Sequence, residues 1–477
     1  MKKLCSTTSK VIALGLVCLI SPASRAQAQD NSSATTATAD IAKRVEDLEK
    51  EIEHLQEELA AVKKQVGIGA QAPAAPAAAP AAVPAAAPAA APTPAPVQAA
   101  VATASTPSPA APAAPSKTTL GSLLGPLSVT GFVDGYYGYD FEHPQANAPS
   151  VLGGNPSTTL AGLRAFDSPQ EQFALNMIEL ILDKPPDTTN SRIGYHLSFG
   201  YGNAMNVVNS TDPGGLGFAQ YLKEAYGSYL APVGKGLQID FGKFVTPAGA
   251  EVIESKDDWN YSRGLLFTYA IPFYHFGLRA KYVFNDKYQV SAYLVNGWNN
   301  IVDNNTGKTG GLQFGWNPNK KWSLVQTYMV GPEENNNNSN IRQLSDTVLT
   351  YSPAGKVSLM VNYDYGRGDR IKAFVNPVWW TGVAGYLKYQ FNDKWAYATR
   401  YEYYNDHFGF TTGTPQHVNE ITETFERKIL GNLITRLEYR RDMSNRPSLF
   451  KDAMPVDQQD TVEVGLIYAF DLKELHP

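Results

Sequence analysis

The chain has 477 residues, with 40 Lys+Arg against 45 Asp+Glu and a net charge of −5. That near-balance excludes a polybasic nucleic-acid binder. Charged residues are only 18%, aromatics are 11%, and the one long apolar run is too short to span a bilayer, so membrane helices are excluded and a Tyr- and Gly-rich β-protein remains.

The N-terminus carries Lys2 and Lys3, an apolar core from Val11 to Ile20, and Ala26-Gln27-Ala28. This is the charged, apolar and A-x-A order of a secretory signal peptide, over residues 1–28. Both cysteines, Cys5 and Cys18, fall inside it, so cleavage leaves a chain without thiol chemistry. Val17 before Cys18 argues against lipid attachment there, where a small residue is wanted.

Residues 41–66 follow a heptad. Val45, Ile52, Leu59 and Val66 take the a positions, and Ile41, Leu48, Leu55 and Val62 the d positions. Flanking Arg44, Glu49, Glu58 and Lys63 can pair between parallel helices. The segment Arg44-Val45-Glu46-Asp47-Leu48-Glu49 resembles the signature of short trimeric coiled coils. Residues 70–116 are almost only Ala and Pro. Proline at that density forbids a stable helix and favours extended chain, reaching on the order of 100 Å at ~3.1 Å per residue.

From 120 to 470 the texture turns to period two. Ile193, Tyr195, Leu197, Phe199 and Tyr201 alternate with Arg192, Gly194, His196, Ser198 and Gly200. Val357 to Tyr365 and Val462 to Phe470 alternate likewise, marking strands with one apolar and one polar face. Short turns are expected at Pro185-Pro186-Asp187, Pro232-Val233-Gly234, Asn285-Asp286-Lys287, Asn317-Pro318-Asn319, Pro353-Ala354-Gly355, Asn392-Asp393-Lys394 and Gly431-Asn432. Longer polar loops, such as Glu142 to Gln170 and Pro332 to Arg342, lie between them. The expected fold is all-β: a transmembrane antiparallel barrel of about sixteen strands with short turns at one end and long loops at the other. An even count puts both termini on the short-turn, periplasmic side, where the coiled coil and linker must sit.

The seven His residues form no H-E-x-x-H pattern, and no G-x-S-x-G or P-loop occurs. His196 and His275 are inward by phase and read as polar lumen residues. Glu333 and Glu334 with the Asn335 to Asn338 run lack the alternating spacing of a calcium loop. Neither an enzyme, a cofactor nor a metal site is expected. The informative feature is inward charge: Arg279, Lys281, Lys388, Arg400, Arg436 and Arg440, with Asp240, Glu402, Glu420, Glu438 and Glu463. Outward, each Arg or Lys would cost about 2–4 kcal/mol at the bilayer midplane, so these groups should face the lumen.

The segments GFVDGYYGYDF near Gly131, FGKFVTPAGAEVIES from Phe241, NYSRGLLFTYAIPF from Asn260 and VNGWNN from Val295 resemble the OmpL-like outer-membrane porin family. That resemblance implies porin activity for the barrel. A departure is the tail after Phe470, since such barrels usually end on an aromatic. In the sixteen-stranded porins that the barrel resembles, the third long loop folds into the lumen. Here that loop runs from about Thr246 to Tyr274 and carries Glu251, Glu254, Asp257 and Asp258. With Arg279, Lys281, Arg400, Arg436 and Arg440 on the wall, it is expected to line a pore and set a transverse field across it.

The function expected is a passive diffusion channel for small hydrophilic solutes and ions in the bacterial outer membrane. Its partners are those solutes, outer-membrane lipid, two further copies in a homotrimer, and the cell wall through the periplasmic N-terminal segment; nucleic acid is not among them. The alternative is a structural tether with a closed or plugged barrel.

Overall fold

Period-two segments joined by tight turns have one low-energy outcome when the first and last can meet, which is a closed cylinder without free edges. The computed structural model describes residues 127–144, 162–369, 371, 377–429 and 431–472. The expected signal peptide, coiled coil and Ala/Pro linker lie outside the described residues.

The strands on the first half of the barrel are β1 (Ser128–Asp140), β2 (Phe173–Lys184), β3 (Ile193–Tyr201), β4 (Leu222–Ala231), β5 (Leu237–Val245), β6 (Tyr274–Asn285), β7 (Tyr288–Val295) and β8 (Thr309–Asn319). The second half is β9 (Trp322–Gly331), β10 (Ile341–Ala354), β11 (Val357–Asp369), β12 (Val378–Asn392), β13 (Trp395–Asp406), β14 (Gln416–Ile429), β15 (Leu433–Ser444) and β18 (Gln458–Leu472). A small hairpin, β16 (Leu449–Lys451) and β17 (Met454–Val456), sits in the last long loop and adds to the expected elements. The second long loop holds helix α1 (Asn203–Asn209) and the single turn α2 (Leu216–Ala219). Each barrel strand pairs antiparallel with its neighbours, and β1 closes on β18 with Phe132 opposite Ala469 and Tyr136 opposite Gly465. The barrel therefore has sixteen strands. Its final strand runs two residues past Phe470, so Leu472 still pairs with Val129.

The short turns have a shared chemistry. Asn285, Asn319 and Asn392 each end a strand, and their side-chain oxygens accept from the backbone N–H of Lys287, Lys321 and Lys394 at 2.9, 2.9 and 3.0 Å. This Asx cap mimics a backbone turn and fixes the reversal. It also moves one expected turn: Asn317 to Asn319 belong to β8, and the chain reverses at Lys320 and Lys321.

The outer face is apolar at mid-height, with Ile178, Leu180, Phe199, Val361, Leu437 and Leu466 exposed. Aromatic pairs gather near the short turns, including Trp322 stacked on Tyr351 at 4.1 Å and Tyr282 against Phe284 at 4.8 Å. Such girdles sit where an apolar band ends.

The Asn-rich run after β9 is used for loop-to-loop bonding. Asn304 and Asn305 donate to the carbonyls of Glu333 and Pro332, and Gly307 N–H donates to Asn338. Glu333 accepts from the Trp298 N–H at 2.7 Å and from the Thr309 hydroxyl. Burial pushes its carboxyl up to about 7, against the pull of Arg342. A carboxyl raised above its ordinary value holds this clasp best when neutral, so the contribution is full below the ordinary carboxylate value and falls as pH rises through about 7. Amide exchange at Trp298 and Gly307, corrected for intrinsic rates, should therefore speed up between pH 5 and 8, and Glu333→Gln should abolish the dependence.

Candidate functional site

The 246–273 connection between β5 and β6 does fold into the barrel, because it carries apolar groups that need cover. Leu265, Leu266, Phe267, Ile271 and Phe273 are buried with Phe132 of β1, Trp380 of β12 and Phe166 of the first long loop. Phe166 meets Phe267 and Phe273 at ring distances of 5.6 and 5.5 Å. An apolar core thus lies within the lumen, inside the polar inner face of the wall.

The loop's backbone is bonded to the wall around much of the circumference. The Pro247 carbonyl accepts from Gln313 of β8, and the Ala250 N–H donates to Asn362 of β11. Ser255 and Tyr261 donate their hydroxyls to Asp134 of β1 at 2.6 and 2.8 Å. The Tyr261 and Ser262 N–H groups donate to Glu438 of β15, the Leu265 N–H to Glu402 of β13, and the Trp380 indole to the Ala270 carbonyl. Irregular backbone at this depth is tolerated only when its polar groups find such partners. Close approach needs small wall residues. A side chain at Gly465 of β18 would begin 2.5 Å from the Tyr261 ring.

The wall arginines complete the seat. Arg400 pairs with Glu420 at 2.8 Å and with Glu251 of the loop at 2.6 Å, and donates to the Ser262 carbonyl. Arg436 pairs with Glu426 and donates to the carbonyls of Ser255, Asp258 and Asn260. Arg440 pairs with Asp442 and donates to the Arg263 carbonyl at 2.7 Å. All three guanidiniums are buried. Glu254 pairs with Lys223 of β4, and Asp258 lies 3.9 Å from Arg263 of the same loop. The loop acids and these wall bases are therefore in contact or sealed, with no open gap between them.

The remaining candidates reach water. Asp257 has a side chain 52% exposed beside Lys256. Arg279 of β6 is partly exposed, pairs with Asp240 at 2.8 Å and stacks over the Tyr226 and Phe244 rings. Lys281, two residues further along β6, is half-buried. The structure thus sorts the nine residues into a sealed group, held on β4, β13 and β15, and an accessible group of Asp257 on the loop with Arg279 and Lys281 on β6. Sequence reasoning missed Arg164, Lys223, Asp134 and Tyr261, which join loops to wall. The signal available for the wall was the inward run Arg436-x-Glu438-x-Arg440-x-Asp442 on β15.

Similarity to known proteins follows this architecture. The family model described as putative beta-barrel porin-2, OmpL-like, matches residues 126–470. The chain belongs to that family. No curated protein sequence matches the chain. Among solved structures, in-vitro folded OmpT of Vibrio cholerae in its trimer form aligns with a TM-score of 0.47 at 14% identity, covering 72% of this chain and 99% of that one. An anion-selective porin from Comamonas acidovorans gives 0.47 at 10% identity, covering 72% and 99%. Salmonella typhi OmpF in complex with daunomycin gives 0.45 at 14%, covering 72% and 97%. This OmpL-like barrel is accordingly an outer-membrane, porin-type β-barrel.

Removing one member of its buried ion pairs strands the other. Arg400→Met should destabilise the folded barrel by about 3–5 kcal/mol, because Glu251 stays buried without its cation and Glu420 keeps only Arg440, 4.0 Å away. Urea unfolding in detergent measures it, and adding Glu251→Gln should recover part of the loss.

Proposed function

We propose that the protein is a passive channel for small hydrophilic solutes and ions, working as a homotrimer with its N-terminal segment in the periplasm. The observation that carries this reading is the inner face of the sixteen-stranded barrel, which is charged while the outer face is apolar. Solutes pass between the third loop and the wall. Asp257, Arg279 and Lys281 line that route. Arg400, Arg436, Arg440, Glu251, Glu254 and Asp258 hold the loop that narrows it.

Catalysis is not part of this reading. His196 is held by Asp183 at 2.9 Å and Glu224 at 3.4 Å and stacked on Tyr226, with no hydroxyl bonded to it among the described residues. His275 is sealed and bonded to the Gly297 carbonyl and, at 3.4 Å, to Thr246. Activating a hydroxyl requires a base oriented by a third group and within reach of a substrate; His196 lacks the hydroxyl, and the His275 ring that touches Thr246 is fully buried.

The extent of loop-to-wall bonding favours one second reading, a closed barrel that tethers the outer membrane to the cell wall. Planar-bilayer recording of the purified full chain separates the two. Discrete conductance steps are expected; silence across lipids and voltages would leave the tether. Asp257→Asn should fold normally, given its exposure, and change the single-channel conductance. Deleting residues 41–66 should weaken the trimer on native gels while leaving a heat-modifiable, folded barrel.

A further inference from the structure

A cation on the apolar outer wall needs a counter-charge. Among the described residues, three arginines on the barrel strands face outward: Arg367, Arg427 and Arg441. Arg367 pairs with Asp369 at 2.9 Å, and Arg441 reaches Asp460 at 3.7 Å and the Gln458 amide. Arg427 of β14 differs: no carboxylate among the described residues pairs with it. The nearby acids are engaged elsewhere. Glu426 turns inward to Arg436 at 2.7 Å, and Glu423 is held by the hydroxyls of Tyr397 and, at 3.2 Å, Thr399. The Arg427 guanidinium lies over the Trp395 ring, 5.0 Å from its centre.

Arg427 also closes one end of a groove on the outer face of β13, β14, β15 and β18. Trp395, Phe425, Thr435, Leu437 and Val464 line the rest of this space of about 350 Å3. The register gives the groove a polarity. Trp395, Arg427 and Thr435 stand side by side in one row, near the short turns. Phe425, Leu437 and Val464 form the next row towards mid-height, and each is about half exposed. The Thr435 hydroxyl donates to the Arg427 carbonyl at 3.2 Å, so that end is held firmly.

The geometry points to a binding site for one glycerophospholipid, with its phosphate on Arg427 and an acyl chain along Phe425, Leu437 and Val464. The short turns of such barrels face the periplasm, so the cation stands at headgroup level and the apolar row in the hydrocarbon. That order matches an amphiphile with an anionic head. With one face on Trp395, the guanidinium keeps donors at its edge for phosphate oxygens. The site is independent of the channel reading, since a barrel that conducts nothing would bind the same lipid. Its strands carry Arg400, Arg436 and Arg440 on their inner side, so the lipid would cover the outside of the wall that seats the third loop.

A competing attraction exists. The short turns expose Lys235, Lys287, Lys320, Lys321, Lys356 and Lys394, a basic rim that draws anionic headgroups around the whole circumference. The rim is solvated, and at ~0.1 M salt its field is screened within ~10 Å. It gives no preference for one position. Arg427 combines a cation with a shaped apolar surface beside it, which a diffuse rim lacks.

Native mass spectrometry of the purified full chain, released from detergent with added phosphatidylglycerol, tests this. One retained lipid per chain is expected. Arg427→Ala should lower retention by about tenfold, the worth of a charge-assisted hydrogen bond. Val464→Trp fills the groove, keeps the arginine and should lower retention as much; heat modifiability shows that each variant is folded. Lys321→Ala should leave retention unchanged. Phosphatidylethanolamine should compete, and a diacylglycerol without phosphate should not. Equal retention in folded Arg427→Ala overturns the site, and a loss as large in Lys321→Ala assigns the binding to the rim instead. Displacement by millimolar inorganic phosphate overturns the lipid in favour of free phosphate. A trimer that retains no lipid also overturns the inference, a second copy of the chain then being the occupant of that face.

Discussion

The arrangement depends on how Arg400, Arg436 and Arg440 divide their donors. Each guanidinium gives one edge to a wall carboxylate and another to a carbonyl of the third loop. A guanidinium suits this because its fork presents several donors in one plane, whereas an ammonium is a compact point charge. An irregular loop at this depth cannot be hydrated throughout, so its carbonyls need donors from the wall. The wall supplies them already oriented by their own ion pairs. Glu438 and Glu402 do the converse, accepting from the loop's N–H groups.

That division explains why the lumen contains an apolar core. With its backbone satisfied by the wall, the loop can turn Leu265, Leu266, Phe267 and Ile271 onto Trp380 and the aromatics of β1 and the first loop. Apolar burial then adds stabilisation that a hydrated loop would lack, at ~25 cal/mol per Å2. The two contributions require each other. Apolar residues alone would leave buried carbonyls unpaired, and arginines alone would hold a loop that water could compete for. The result is an inserted loop built as a packed structure, with Asp257, Arg279 and Lys281 left partly open to water.

Much of the barrel is legible from local rules. Alternation assigns Ile193 to Tyr201 and Val357 to Tyr365 to strands because lipid and lumen impose opposite solvents on successive side chains. Turns are legible from Asn and Gly, although the Asx cap places one reversal just after Asn319, whereas the Asn-Pro-Asn run had suggested it within residues 317–319. Arg400 on β13 and Arg436 and Arg440 on β15, inward by phase, bond to the third loop. What period two cannot give is distance across the lumen. Whether Glu251 faces Arg400 over water or touches it depends on how far the loop penetrates. That is set by its apolar residues finding Phe166 and Trp380, which lie far away in sequence. The same limit hid Lys223, whose partner Glu254 is supplied by tertiary packing alone.

The near-neutral total also conceals how the charges are distributed. A chain of net −5 keeps an acidic interior and a lysine rim on the same barrel. Tight turns favour solvated lysines after Asn and Asp, so the rim follows from turn chemistry. The interior is acidic for a different reason. Carboxylates accept from the many N–H and O–H groups that an inserted loop brings, as Glu438 does for Tyr261 and Ser262 and Asp134 for Ser255 and Tyr261. Each carboxyl used in this way helps to hold the loop.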